Sequence, residues 1–281
     1  MDNNEGKATP PLLIWVIFSI IALIVITGLF YLRTIKKEND FTQRSYYLQH
    51  TIKAAGIKPV VLILGTSLTR CAYDSSSKIE KFIQDSTGKR PVIAKVWSNG
   101  TNLETIINHM PVLMEIHPDI LVVEANMFCY AAEDQHLVNE IPSLLYSLTA
   151  ERIYKPYLPE EKPKKPQDNG EIKNRNGIID TSQLYSFKLL ASSLEKQGTK
   201  IILVNIPVEA SEEIKKWSSS DTLYFNRNMN YVKKEISFTY CDPKQYWDMS
   251  YYYNRGHLNL KGCKAFTQWF CEQLSEQVKQ L

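Results

Sequence analysis

The chain has 281 residues, 44% hydrophobic and 22% charged, with a formal net charge of +3. That is enough for one sizeable core plus an accessory segment, and the ordinary composition excludes a wholly disordered or fibrous protein. Lys and Arg are interleaved with Asp and Glu rather than gathered in a block, which argues against nucleic acid as a partner.

Residues 1–11 form a short tail ahead of Leu12–Leu32, an almost unbroken apolar run long enough to cross a bilayer as one helix. The run exceeds a signal-peptide core and lacks a small-x-small cleavage site, so a retained single-pass anchor is expected. Its flanks carry Lys7 before and Arg33, Lys36, Lys37 and Arg44 after. By the positive-inside rule alone, these charges would hold the globular part in the cytoplasm. Residues 33–57 read as a polar connecting stalk, with Tyr46, Tyr47 and Leu48 available to dock it on the domain.

The domain is expected over 58–281. Apolar strands at 59–64, 92–97, 119–124 and 200–206, and a weaker one at 236–241, alternate with helical stretches. Such alternation predicts a three-layer α/β/α fold around a five-stranded, mostly parallel sheet. Asn102–Ile116 illustrates the helices: Leu103, Ile106, Ile107, Met110, Leu113 and Met114 share a face, Thr101 or Asn102 is a candidate cap, and His117-Pro118 stops the helix. Residues 151–177, rich in Lys, Glu and Pro, predict a mobile surface insertion, with a substrate lid as the alternative. The five cysteines include no CxxC pair, and no cluster has metal-ligand spacing, so neither a disulfide framework nor a metal or other cofactor is expected. Cys71, four residues past Ser67, reads as a small buried filler.

In an open parallel sheet, ligands bind beyond the carboxyl ends of the strands. Four candidates lie at such ends or in the last loop. Ser67 follows the first strand in Gly65-Thr66-Ser67-Leu68, and Gly100 follows the second in Ser98-Asn99-Gly100. Asn126 follows the third in Glu124-Ala125-Asn126, and His257 precedes a terminal helix. Singly, Ser67 reads as a helix cap, Gly100 as a turn glycine, Asn126 as an Asx turn or cap, and His257 as a packing residue. Together, a serine at a strand end and a histidine able to deprotonate it form the core of an acyl-transfer site. His50, His109, His117 and His136 have no comparable surroundings.

The four blocks, in this order, resemble those of the SGNH (GDSL) hydrolases. Thr66 stands where that family usually has Asp, and the glycine usual before Asn126 is absent, whereas His257-Leu258-Asn259-Leu260-Lys261-Gly262 is similar to the histidine block. The resemblance, over 58–281, implies a flavodoxin-like sheet and a Ser67 nucleophile with His257 as base. It also implies an oxyanion hole made by the N–H groups of Ser67 and Gly100 and the Asn126 amide. Asn254 stands three residues before the histidine, where the family has Asp, and would orient the ring without offering a charge; Asp248 is the alternative carboxylate if Tyr251-Tyr252-Tyr253 folds back. Those tyrosines could stack on sugar rings or pack in the core or at the rim.

For a membrane-anchored member, the resemblance implies an esterase or O-acyltransferase acting on acetyl esters of a bacterial surface carbohydrate, partnered by a polytopic acyltransferase. It places the domain in the periplasm, against the flanking charges. The rivals are a noncatalytic scaffold or sugar-binding subunit, its triad eroded at Asn254, and a lipid esterase working at the bilayer surface.

Overall fold

Four segments rich in Val, Ile and Leu and a short fifth, Thr239-Tyr240-Cys241, pair into one parallel sheet: β1 (Val60–Gly65), β2 (Val92–Trp97), β3 (Ile120–Glu124), β4 (Lys200–Val204) and β5 (Thr239–Cys241). The computed structural model describes residues 12–36, 45, 48, 49, 52, 56, 58–97, 103–128, 181–209, 222–243, 247–254 and 256–281. The spatial order β2-β1-β3-β4-β5 is the flavodoxin-like doubly wound arrangement expected from the sequence. Every residue of β1 and β3 is buried, as a sheet covered on both faces requires.

Alternate strand residues supply two cores. Leu62, Leu64, Val96, Leu121, Val123 and Leu203 face one side, covered by α4 (Leu103–Asn108), α5 (Met110–Ile116), α6 (Thr181–Lys196) and α7 (Thr222–Glu235). Val61, Ile63, Ile93, Val122, Ile202 and Val204 face the other, covered by α2 (Ser67–Ala72), α3 (Ser76–Thr87) and α8 (Leu260–Lys279). These are the three expected layers.

The helix expected over 102–116 is two helices. His109 separates them, and Pro111 lies in the first turn of α5, where its missing N–H costs nothing. The predicted core face survives the break, with Leu103, Ile106 and Leu113 buried. His117 ends α5 in the left-handed conformation at φ 48°, ahead of Pro118.

The chain divides into two compact units, Met1–Glu38 and Asn39–Leu281. Leu48 and Ile52, from the segment expected as a stalk, are buried in the first core, so part of that segment belongs to the second unit. Tyr46, Tyr47 and the insertion at 151–177 lie outside the described residues.

The first unit contains α1 (Leu12–Lys36), with exposed apolar side chains such as Leu12, Trp15, Phe18 and Leu23. Among the described residues no helix is long and apolar enough to cross a membrane. The side chains of α1 are described as far as Gly28.

Candidate active site

Where β1 ends, the chain turns at Gly65 and starts α2. Thr66, not Ser67, is the N-cap: its Oγ1 accepts the Leu68 N–H at 3.1 Å. Capping is thus done by the neighbour, and the Ser67 hydroxyl is left for other chemistry. Ser67 Oγ lies 2.9 Å from His257 Nε2, across 190 residues of sequence.

His257 is held by a tight loop. Asn254 Oδ1 accepts the N–H groups of Gly256 at 3.0 Å and His257 at 2.9 Å, and lies 2.9 Å from His257 Nδ1. The two backbone donors fix which end of the Asn254 amide faces the ring, because its NH2 group could not accept them. An oxygen at that place calls for the Nδ1–H tautomer, which leaves Nε2 free to take the Ser67 proton. Asn254 therefore orients the imidazole as a carboxylate would, without the charge. The loop is closed by Tyr253 N–H donating to the His257 carbonyl at 2.7 Å and by an antiparallel bridge between Tyr252 and Leu258.

Helix α8 locks this loop against α2. Asn259 caps α8 by accepting the N–H groups of Lys261 and Gly262, and its own amide donates to the carbonyls of Ser250 and Tyr252. Gly262 permits the close approach: a Cβ there would lie 2.2 Å from the Tyr251 carbonyl oxygen. Farther along, Thr267 Oγ1 donates to the Ala72 carbonyl at the end of α2 and accepts the Asp74 N–H at 2.8 Å. Tyr73 packs edge-on against Phe266 and Phe270.

Asp248 does not substitute for the missing triad carboxylate. It caps the 3-10 turn Met249–Tyr251, accepting the Ser250 N–H at 2.8 Å, and its carboxyl is lowered from the ordinary value first by the Ser250 hydroxyl and then by that N–H. Of the three tyrosines, Tyr252 is core: it is wholly buried and its hydroxyl donates to the Val208 carbonyl at 2.6 Å. Tyr251 packs beside Trp247, with Lys261 Nζ 3.9 Å from its ring centroid.

Asn126 is fully buried in the 3-10 turn Ala125–Phe128 after β3, and its Nδ2 donates to the Ile206 carbonyl at 3.2 Å. Gly100 lies outside the described residues. His109 and His117 flank α5, away from the Ser67–His257 pair in the sheet layers, whereas His50 and His136 lie outside the described residues. Cys71 is only half-buried, so the expected buried filler is partly open. Cys241 and Cys271 are buried, and burial pushes their thiols up to about 11 and about 12.

Sequence reasoning passed over two residues of the site. Glu124, the last residue of β3, is 1% exposed. Its Oε2 accepts the Thr66 N–H at 2.8 Å, the Thr69 hydroxyl at 2.7 Å and the Thr69 N–H at 3.3 Å, and the Thr66 hydroxyl lies 2.9 Å from Oε1. Burial raises its carboxyl above the ordinary value, opposed by these donors. The available signal was an acid ending an otherwise apolar strand, with threonines at 66 and 69 around Ser67.

Arg70, one turn past Ser67 on α2, places its guanidinium 5.4 Å from the Trp97 ring centroid. Burial, and secondarily the Arg70 charge, lower the His257 pKa from its ordinary value. A lowered value keeps the imidazole neutral, and competent as a base, to more acidic pH. The acid limb of the kcat/KM profile is therefore expected below the ordinary histidine value. In Arg70→Gln it should move upward, because one of the two causes is gone. A limb that stays in place or moves down in Arg70→Gln would contradict this account.

No protein-family model matches the sequence. No curated protein sequence matches it either. Similar solved structures include a GDSL-like lipase from Bacteroides thetaiotaomicron, at 11% identity and a TM-score of 0.44 over 83% of this chain and 98% of that one. A lipase/acylhydrolase from Enterococcus faecalis is 10% identical, with a TM-score of 0.46 over 78% of this chain and 97% of that one. A catalytic mutant of an acetylxylan esterase from Geobacillus stearothermophilus is 10% identical, with a TM-score of 0.45 over 78% of this chain and 94% of that one.

Proposed function

We propose that the chain is an SGNH-like serine esterase or O-acyltransferase, working through an acyl-enzyme on Ser67. The observation that carries this is the continuous relay from Ser67 Oγ to His257 Nε2 at 2.9 Å and from His257 Nδ1 to Asn254 Oδ1 at 2.9 Å. Proton transfer to Nε2 accompanies attack of Oγ on the ester carbonyl, and the carbonyl oxygen becomes an oxyanion. The Ser67 N–H, the Gly100 N–H and the Asn126 amide are its proposed donors. Collapse expels the alcohol, which takes the proton from His257. Water or a sugar hydroxyl then repeats the sequence on the acyl-enzyme, giving hydrolysis or transfer.

The proposed substrate is an acetyl ester of a bacterial surface carbohydrate. The apolar run 12–32, helical within α1, supports a single-pass anchor in the inner membrane. A polytopic acyltransferase is the proposed partner, with the domain on the periplasmic side. A noncatalytic scaffold remains the second reading, favoured by the neutral Asn254 in place of an acid.

Fluorophosphonate labelling of the full-length chain in detergent separates the two. Covalent modification at Ser67, absent from Ser67→Ala, is the expected result. A folded wild-type chain that neither labels nor turns over an aryl acetate would sink the esterase reading in favour of the scaffold.

A further inference from the structure

Glu124 is costly where it stands. It ends Ile120-Leu121-Val122-Val123, four buried apolar residues in the middle of the sheet, and a buried carboxylate is tolerated only when its oxygens are fully occupied. They are occupied by one partner element, the start of α2.

The geometry of that contact singles out Ser67. Thr66 N–H and Thr69 N–H go to Glu124, and Leu68 N–H goes to Thr66 Oγ1. Of the four N–H groups from 66 to 69, only that of Ser67 is left without a partner among the described residues. Glu124 thus holds the residue before Ser67 and the residue two beyond it, while leaving the serine's own N–H and hydroxyl to the site. Gly65 makes room for the clamp: in register β1 and β3 lie side by side, with Leu64 opposite Val123. A Cβ on Gly65 would fall 1.8 Å from Thr69 Oγ1 and 2.7 Å from Glu124 Oε2.

We infer that Glu124 is a positioning residue for the nucleophile: by clamping Thr66 and Thr69 it fixes the Oγ and N–H of Ser67 where His257 and the substrate oxygen need them. This rests on the serine-nucleophile reading above.

The test compares Glu124→Met, which keeps the length and loses the acceptors, with Glu124→Gln, which keeps one acceptor oxygen for the Thr66 and Thr69 donors. All are assayed as the full-length chain, beside wild type and Ser67→Ala. In Glu124→Met, kcat for an aryl acetate and the rate of fluorophosphonate labelling should both fall about 100-fold, as for a displaced reacting group, with KM within threefold. Glu124→Gln should recover most of the loss. A packing role alone would let Met match wild type, and a folded Glu124→Met with kcat within threefold of wild type overturns the inference.

Should Glu124→Met fail to fold, Thr69→Val and Thr69→Ser read the same clamp from the other side. Val removes the hydroxyl that donates to Oε2 at 2.7 Å and should lower kcat about tenfold, and Ser should restore it. Equal kcat for Val and wild type overturns the inference. Loss of labelling in wild type itself would remove the nucleophile reading and this inference together, whereas an active wild type with indifferent variants removes only the inference.

Discussion

In the His257→Ala protein, turnover of an aryl acetate is expected to fall about 10⁴-fold or more, with the fold intact. Without the imidazole, Ser67 has no base within reach, and removal of one member of such a relay costs nearly as much as removal of all. The loop should survive the change. Asn254 Oδ1 would keep its bonds from the Gly256 and residue-257 backbone N–H groups, Asn259 would still cap α8, and Tyr252 would remain buried against the Val208 carbonyl. Steady-state kcat at saturating substrate, read beside a thermal melt, checks both halves. A kcat within tenfold of wild type in folded His257→Ala would show that Ser67 does not depend on this histidine.

Asn254→Asp is expected to act in the opposite direction, raising kcat roughly 10- to 100-fold. The reason lies in how Asn254 is held. Its oxygen is already directed at Nδ1 by two backbone donors, so the tautomer is right and only the charge is missing. An anion in contact with the imidazolium, at the effective dielectric of a half-buried site, is worth a few kcal/mol before its own desolvation is deducted, or about one to two decades in rate. The same charge favours protonated His257, so the acid limb of the profile should move to higher pH as kcat rises. Substitution leaving both unchanged would mean that imidazolium formation does not limit the reaction.

The sheet was legible because its residues are buried on both faces. The first four strands read as runs dominated by Val, Ile and Leu, and they lie within two residues of the expected limits. At 102–116 the apolar spacing was right and the single helix was not, since periodicity is blind to what Pro111 does to the turn before it. Ser67, His257 and Asn254, which the structure brings together, were legible as candidates because their signal lies in order and spacing along the chain. Glu124 carries no signal in the sequence beyond ending an apolar strand, because its meaning comes from a neighbour in space: β3 lies beside β1 only once the sheet is assembled. Asp248 was a candidate on distance along the chain, and the 3-10 turn at Met249–Tyr251 took it as a cap instead. Arg70 escaped notice because α2 is too short to show a face.

The contact between Ser67 and His257 spans 190 residues, and the histidine is followed directly by the last helix. During synthesis the serine therefore emerges long before the group that activates it. No nascent chain that stops short of the final loop carries both halves of the relay, and contacts of such sequence separation form late because chain closure must come first. If the proposed reading holds, activity would switch on only when α8 has left the ribosome and docked beside α2 and α3, which would make the first turnover a clock for the docking of α8.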